Sequence, residues 1–153
     1  MGYLKIVIAQ NYLDSSTDLA LRRFYLGNYL LIKCSYTYLN YFARSFNPEW
    51  YPEWGVPIGT ASPLPATISE LRDARSGLYT RSYSNGLVAV NPDTVPHTLS
   101  LGTMYYLVTP VGGGTVPDNG DISGMRLSYT PVTRVVVAGN DAAILVRVRP
   151  GSK

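Results

Sequence analysis

The sequence changes grammar part-way along, and that change restricts its possible folds more than any other feature. Up to about residue 41 it reads strand, helix, strand; from residue 78 onward it reads as short strands and turns alone. Residues 4–9 (LKIVIA) form a nearly continuous, β-branched apolar run, the pattern of a parallel strand buried on both faces. Asp14, Ser15, Ser16, Thr17 and Asp18 then offer N-cap candidates and early negative charge, and an amphipathic run continues to about Lys33. The aromatic segment 36–42 (YTYLNYF) reads as a second strand. A lone βαβ unit leaves two sheet edges unpaired and cannot complete a domain of that class. The expected fold is therefore α+β, mainly β. It comprises a βαβ unit over residues 1–42, a Pro- and Trp-rich loop and linker over 43–77, and an antiparallel β-sandwich over 78–153.

Within the helix, Leu19, Phe24, Leu26, Leu30 and Leu31 with Ala20 and Tyr25 make a wide apolar surface, and Arg22, Arg23 and Asn28 read as its wet side. Gly27 in the middle costs up to about 1 kcal/mol relative to Ala, which predicts close packing against another element. Hydrophobic residues make up 46% of the 153, enough for a packed core. The net charge of +3 is scattered, with only Arg147, Arg149 and Lys153 grouped at the tail, so a nucleic-acid stripe is not expected. No apolar run reaches membrane-spanning length, and residues 1–13 lack the pattern of a cleavable leader. The single cysteine, Cys34, is expected to be a buried structural thiol, remote in sequence from the single histidine, His97. Neither a metal nor a cofactor is expected.

Residues 43–65 hold Pro48, Pro52, Pro57, Pro63 and Pro65, which forbid regular helix or central strand. A loop of that length in a compact chain tends to carry function, and this one repeats Pro-Glu-Trp at 48–50 and 52–54. Strand patterns follow at 78–83, 87–91, 97–101, 104–109, 126–130, 132–137 and 142–148. Asn85-Gly86 between the first two predicts a type I′ hairpin turn. Leu87, Val88, Val90, Leu127, Val135, Val137, Ile144 and Val146 are the expected core. Gly112-Gly113-Gly114 lacks the following helix and Lys-Ser/Thr of a phosphate loop.

The segment from Arg81-Ser82-Tyr83 through Asn85-Gly86-Leu87-Val88-Ala89-Val90-Asn91-Pro92 resembles a phrase found near the C-terminal ends of a group of glycoside hydrolase-like proteins, where a (β/α)₈ barrel is followed by a small β-sandwich. Ala142-Ala143-Ile144-Leu145 is similar to the small-residue turn and apolar strand that close such modules. The resemblance implies that residues 5–11 are a late barrel strand, 15–33 its helix and 36–42 the last strand. It also implies that most catalytic machinery lies elsewhere, since such a barrel needs eight strands and roughly 250 residues.

Glycoside hydrolysis uses two carboxylates about 5 to 9.5 Å apart. Asp14, Glu49 and Glu53 stand nearest the strand ends, but Asp14 reads as a helix-start residue and Glu49 and Glu53 as solvated or paired with Arg44. The sequence names no catalytic residue. Sugar contact is better supported, because sugar rings stack C–H faces on aromatics while their hydroxyls seek amides or carboxylates. Gln10, Asn11, Tyr38, Asn40, Glu49, Trp50, Tyr51, Glu53 and Trp54 are the candidate glycan contacts. The expected function is a C-terminal part of a carbohydrate-active protein, with an accessory or glycan-contacting β-sandwich and no complete active site. Its expected partner is a glycan, and its expected place is outside the cell or at the cell surface. The alternative is a self-assembling structural protein, a homo-oligomer or filament. Thirteen Tyr, low charge and open sheet edges favour it. So does the polar look of Arg81, Ser82, Ser100, Arg126 and Ser128, which suggests that the βαβ unit does not dock within its own chain.

Overall fold

The computed structural model describes residues 6–43 and 46–151. Strand β1 (Val7–Tyr12), helix α1 (Leu19–Ile32) and strand β2 (Thr37–Phe42) form the βαβ unit, with β1 and β2 paired in parallel from Val7↔Thr37 to Tyr12↔Phe42. The predicted first strand begins among residues outside the described set, so only its second half is seen, extended to Tyr12. The Asp18 carboxylate caps α1 by accepting from the Leu21 N–H at 3.0 Å.

Beyond β2, the short strand β3 (Glu49–Trp50) and two single 3₁₀ turns, Pro52–Gly55 and Ile68–Leu71, order the Pro-rich segment. The second turn carries a capping box between Thr67 and Glu70. Strands β4 (Tyr79–Tyr83), β5 (Gly86–Asn91), β6 (His97–Val111), β7 (Gly114–Thr115), β8 (Arg126–Val137) and β9 (Asp141–Val146) follow. Five of them make one antiparallel sheet in the order β4-β5-β9-β6-β8, while β3 and β7 pair separately. The residues ahead of β4 run along its outer edge, through bridges Ala61↔Tyr83 and Arg72↔Tyr79.

Two predicted strand pairs turn out to be single long strands. Residues 97–101 and 104–109 are both β6, and 126–130 and 132–137 are both β8, joined across a register shift between Ser100 and Tyr105 with Gly102 at φ +68°. Such an irregularity bends the ribbon. One sheet thereby does the work expected of two. On one face Val88, Val90, Val108, Ala142, Ile144 and Val146 pack against Leu26, Leu30 and Leu31 of α1. On the other, Leu99, Val135 and Val137 pack with Leu78, Ala89, Ala143 and Leu145. Of the expected core, Leu87 and Leu127 are only partly buried.

The helix thus docks on the sheet of its own chain, contrary to the sequence expectation. Burying three leucines there is worth on the order of 1.5–3 kcal/mol each. Gly27 permits the approach: a Cβ at that position would stand 2.4 Å from the Ala142 Cβ. Arg81, which reads as an outward residue, is buried. Its guanidinium donates to the carbonyls of Leu30, Leu31 and Lys33, satisfying the orphan acceptors at the end of α1. The Tyr83 hydroxyl donates to the Leu30 carbonyl at 2.7 Å.

The hairpin turn also differs from its prediction. Tyr83 pairs with Gly86, so the two turn residues are Ser84 and Asn85, neither at positive φ, which excludes type I′. Asn85 is held by its side chain, donating to the carbonyls of Pro57 and Val148 and accepting from the Val148 N–H. Gly86 is needed for space, because a Cβ there would lie 2.2 Å from the Leu145 carbonyl oxygen. Asn91 closes the phrase, donating to the carbonyls of Val95 and Val137. The Arg81-to-Pro92 motif is therefore a clasp between helix and sheet.

Candidate functional site

Alternation along β1 and β2 sorts the βαβ unit into two faces. Leu39 and Tyr41, with Leu13 just past β1, look toward α1 and its surroundings and are buried or half-buried. Ile8, Gln10 and Tyr12 of β1 and Tyr38, Asn40 and Phe42 of β2 share the opposite face, and all six are exposed. They stand in register: Ile8 beside Tyr38, Gln10 beside Asn40, Tyr12 beside Phe42. The Tyr12 and Phe42 rings meet edge to face at 5.6 Å. Ile8 is 65% and Tyr12 63% exposed, so the first strand is not buried on both faces as its composition suggests. The face presents two facing amides bracketed by apolar and aromatic side chains.

The rim beyond the strand ends is built around Arg22, which the sequence reading misplaced on the wet side. Arg22 is 1% exposed. Its Nε and Nη2 donate to the two Glu53 carboxylate oxygens at 2.7 and 2.6 Å, and Nη1 donates to the carbonyls of Ser16 and Gly112 at 2.8 and 3.0 Å. The guanidinium carbon lies 4.8 Å from the centre of the Tyr51 ring. Tyr41 donates to the Arg22 carbonyl and stacks near Tyr51 and Trp54. A signal for Arg22 exists: it falls three residues after Leu19 and four before Leu26, on the apolar face.

The candidate residues divide accordingly. Gln10, Tyr38 and Asn40 lie together on the open face, and Trp50, 36% exposed, stands at the rim. Asn11 is on the opposite face, its amide bonded to the Ala9 carbonyl. Glu49 is half-buried and accepts from the Tyr51 hydroxyl at 3.3 Å. Burial, followed by the Glu49 carboxylate, pushes the Tyr51 phenol up to about 12. Tyr51 is fully buried, and the Glu53 carboxylate, 1% exposed, is taken up by Arg22. Arg44, the expected partner, lies outside the described residues. Trp54 is half-buried, packed edge-on to Trp50 at 5.8 Å, and its indole N–H is buried without an acceptor among the described residues. Trp54 also lines a cleft of about 280 Å³ between α1 and β2, with Leu26, Leu39 and Val56.

The single cysteine departs from its expected burial. Cys34 is exposed. His97 Nδ1 lies 2.8 Å from the Ser76 carbonyl and joins the segment before β4 to the sheet, while Nε2 stands 2.9 Å from Asp93 with no hydrogen-bond partner among the described residues. Among the described residues no helix is long and apolar enough to cross a membrane.

A family model described as hypothetical glycosyl hydrolase family 15 matches residues 3–87, more than half of the chain. The match spans the βαβ unit, the Pro-rich segment and the first half of the clasp motif. No curated protein and no solved structure matches.

Proposed function

The chain belongs to hypothetical glycosyl hydrolase family 15, and from that premise we propose that it is the C-terminal part of a carbohydrate-active protein whose open β1–β2 face and Trp50 contact a glycan. The observation that carries this reading is the in-register Gln10–Asn40 amide pair flanked by exposed Tyr38, Tyr12 and Phe42. Amides satisfy sugar hydroxyls and aromatic faces satisfy sugar C–H faces. The strands themselves support incompleteness. A parallel pair is normally continued at its edges, and neither outer edge of β1–β2 has a ladder partner among the described residues. Further parallel strands from the same reading frame are the natural continuation, and the reacting carboxylates would come with them. Glu53 is spent on Arg22 and is not one of them. A glycan ligand would be met outside the cell or at its surface.

The test is a glycan array and a panel of chromogenic glycosides, run on the product of the whole reading frame. Binding or hydrolysis that falls about tenfold or more in a Gln10→Ala/Asn40→Ala variant supports the reading, since losing hydrogen bonds worth about 1.4 kcal/mol gives that factor. Neither binding nor hydrolysis by the unaltered protein overturns it. The same exposed apolar face favours one second reading, self-association of this chain. Light scattering at micromolar concentration decides that reading, and a clean monomer removes it.

A further inference from the structure

We propose that residues 112–116, which belong to the C-terminal sheet module, are a positioning element for Trp50, so that the module takes part in the ligand-contacting rim. This rests on the reading of Trp50 as a glycan contact. Strand β7 pairs antiparallel with β3, Glu49 opposite Thr115 and Trp50 opposite Gly114. The Val116 N–H donates to the Pro48 carbonyl at 2.8 Å and extends the ribbon by one bond. On the other side, the Gly112 carbonyl accepts from Arg22, whose remaining donors reach Glu53 and the Ser16 carbonyl. The loop is thus tied both to the backbone that carries Trp50 and to the buried charge beneath it.

Glycines are required here. Gly113 and Gly114 have φ of +109° and +117°, and Cβ atoms on them would lie 2.6 Å from Arg22 Nη2 and 2.8 Å from Ser16 Oγ. Ser16 belongs to the connection leaving the C-terminal end of β1. The sheet module therefore reaches the end of the βαβ unit where parallel-strand proteins place their ligands, and holds Trp50 there. A tip as short as β3 has no hydrogen-bonded neighbour other than β7 among the described residues. Without that pairing nothing in the ladder would fix the indole.

The experiment uses the full chain in a Trp54→Phe background, so that emission reports Trp50 alone. Val116→Pro removes the N–H that bonds Pro48, and Gly113→Ala strains the loop from the Arg22 side. Each variant is measured for thermal midpoint, for acrylamide quenching of Trp50, and for affinity toward two probes, a β-1,4-linked and an α-1,4-linked glucose hexasaccharide. The expected result is a rise in quenching together with affinity for the bound probe weaker by about fivefold, the equivalent of one lost aromatic contact. Val116→Phe, which keeps the backbone donor, should restore both readouts. Unchanged quenching in a folded Val116→Pro variant overturns the proposal, as does unchanged affinity where the parent binds. Should Val116→Pro fail to fold, Gly113→Ala carries the same two readouts. If the parent binds neither hexasaccharide and no other glycan, the functional reading fails, while the quenching arm still decides whether residues 112–116 position Trp50.

Discussion

Of the three sheets among the described residues, the five-stranded sheet and the β1–β2 pair are made from similarly apolar strands, yet one is closed and the other open. In the five-stranded sheet, β5 and β9 have ladder partners on both edges and packed side chains on both faces. Its outer strand β4 is shielded by the chain that precedes it. The β1–β2 pair has one covered face, and the other presents Ile8, Tyr12, Tyr38 and Phe42 to solvent. The difference teaches where stability resides. The βαβ unit is held by its own ladder, by the cluster around Leu13 and Tyr41, and by the attachment of α1 to the larger sheet. The fastenings of that attachment include the leucine face over Gly27, the Arg81 and Tyr83 bonds to the end of α1, and the pairing of Arg23, half-buried rather than wet, with Asp141 of β9. The Arg22–Glu53 pair ties α1 to the rim.

The largest expected effect comes from breaking the buried pair. Glu53→Gln leaves the Arg22 guanidinium buried with its carboxylate gone, and unfolding free energy should fall by about 3–5 kcal/mol, read from the urea midpoint. If the comparison holds, α1 and β1–β2 amides lose hydrogen-exchange protection before those of β5 and β9 do. Uniform loss across both sheets would show that the pair serves the whole molecule equally. Replacing Arg22 and Glu53 together by Met and Leu should recover much of the loss, because the charge and its desolvation then disappear together.

A smaller effect is expected at the helix seam. Gly27→Ala gains helix propensity of up to about 1 kcal/mol, but its methyl would lie 2.4 Å from the Ala142 Cβ and 2.9 Å from Val90 Cγ2. Overpacking of that kind costs roughly 1–3 kcal/mol, so the net change should be destabilising by about 1 kcal/mol in a denaturant titration. A stabilised Gly27→Ala variant would mean that α1 sits farther from β9 than the structure has it.

The sequence announces this architecture unevenly, and the reasons are physical. The change from a βαβ grammar to strands and turns is legible because side-chain period is a local property, and so are β1, α1 and β2. Gly27 is legible because a helical glycine costs enough to require a cause. What is hidden depends on partners distant in the chain. Arg22 looks like a wet residue until Glu53 and Gly112 arrive from far along the sequence, and Arg81 until the end of α1 does. Asn85-Gly86 carries the strongest local turn signal, yet contacts with Val148 and Leu145 move the turn by one residue. The bend that merges four predicted strands into β6 and β8 is set by pairing across the ribbon, which no local window contains. Among the candidate contacts, alternation along the strands separates Gln10, Tyr38 and Asn40 from Asn11. Nothing local could separate exposed Trp50 from buried Tyr51 and Glu53.

The smallest effect on stability, and the sharpest on the comparison, is expected on the open face itself. Ile8→Ser combined with Tyr38→Ser removes two exposed apolar side chains that stand beside each other in register. Neither belongs to any of the three packed clusters, so no cavity forms and no buried group loses its partner. Surface changes away from such features usually stay within about 0.5 kcal/mol, and the urea midpoint should hardly move. Exposed apolar area does fall, so binding of a hydrophobic dye such as ANS should drop, and any self-association seen by light scattering should weaken with it. The matched control is Leu99→Ser with Val135→Ser in the closed sheet, where both side chains are buried. There the same chemistry should cost several times as much and unfold a large fraction of the chain. If the β1–β2 substitutions prove comparably costly, the open face is covered in solution, and the contrast between the two sheets has to be redrawn around whatever covers it.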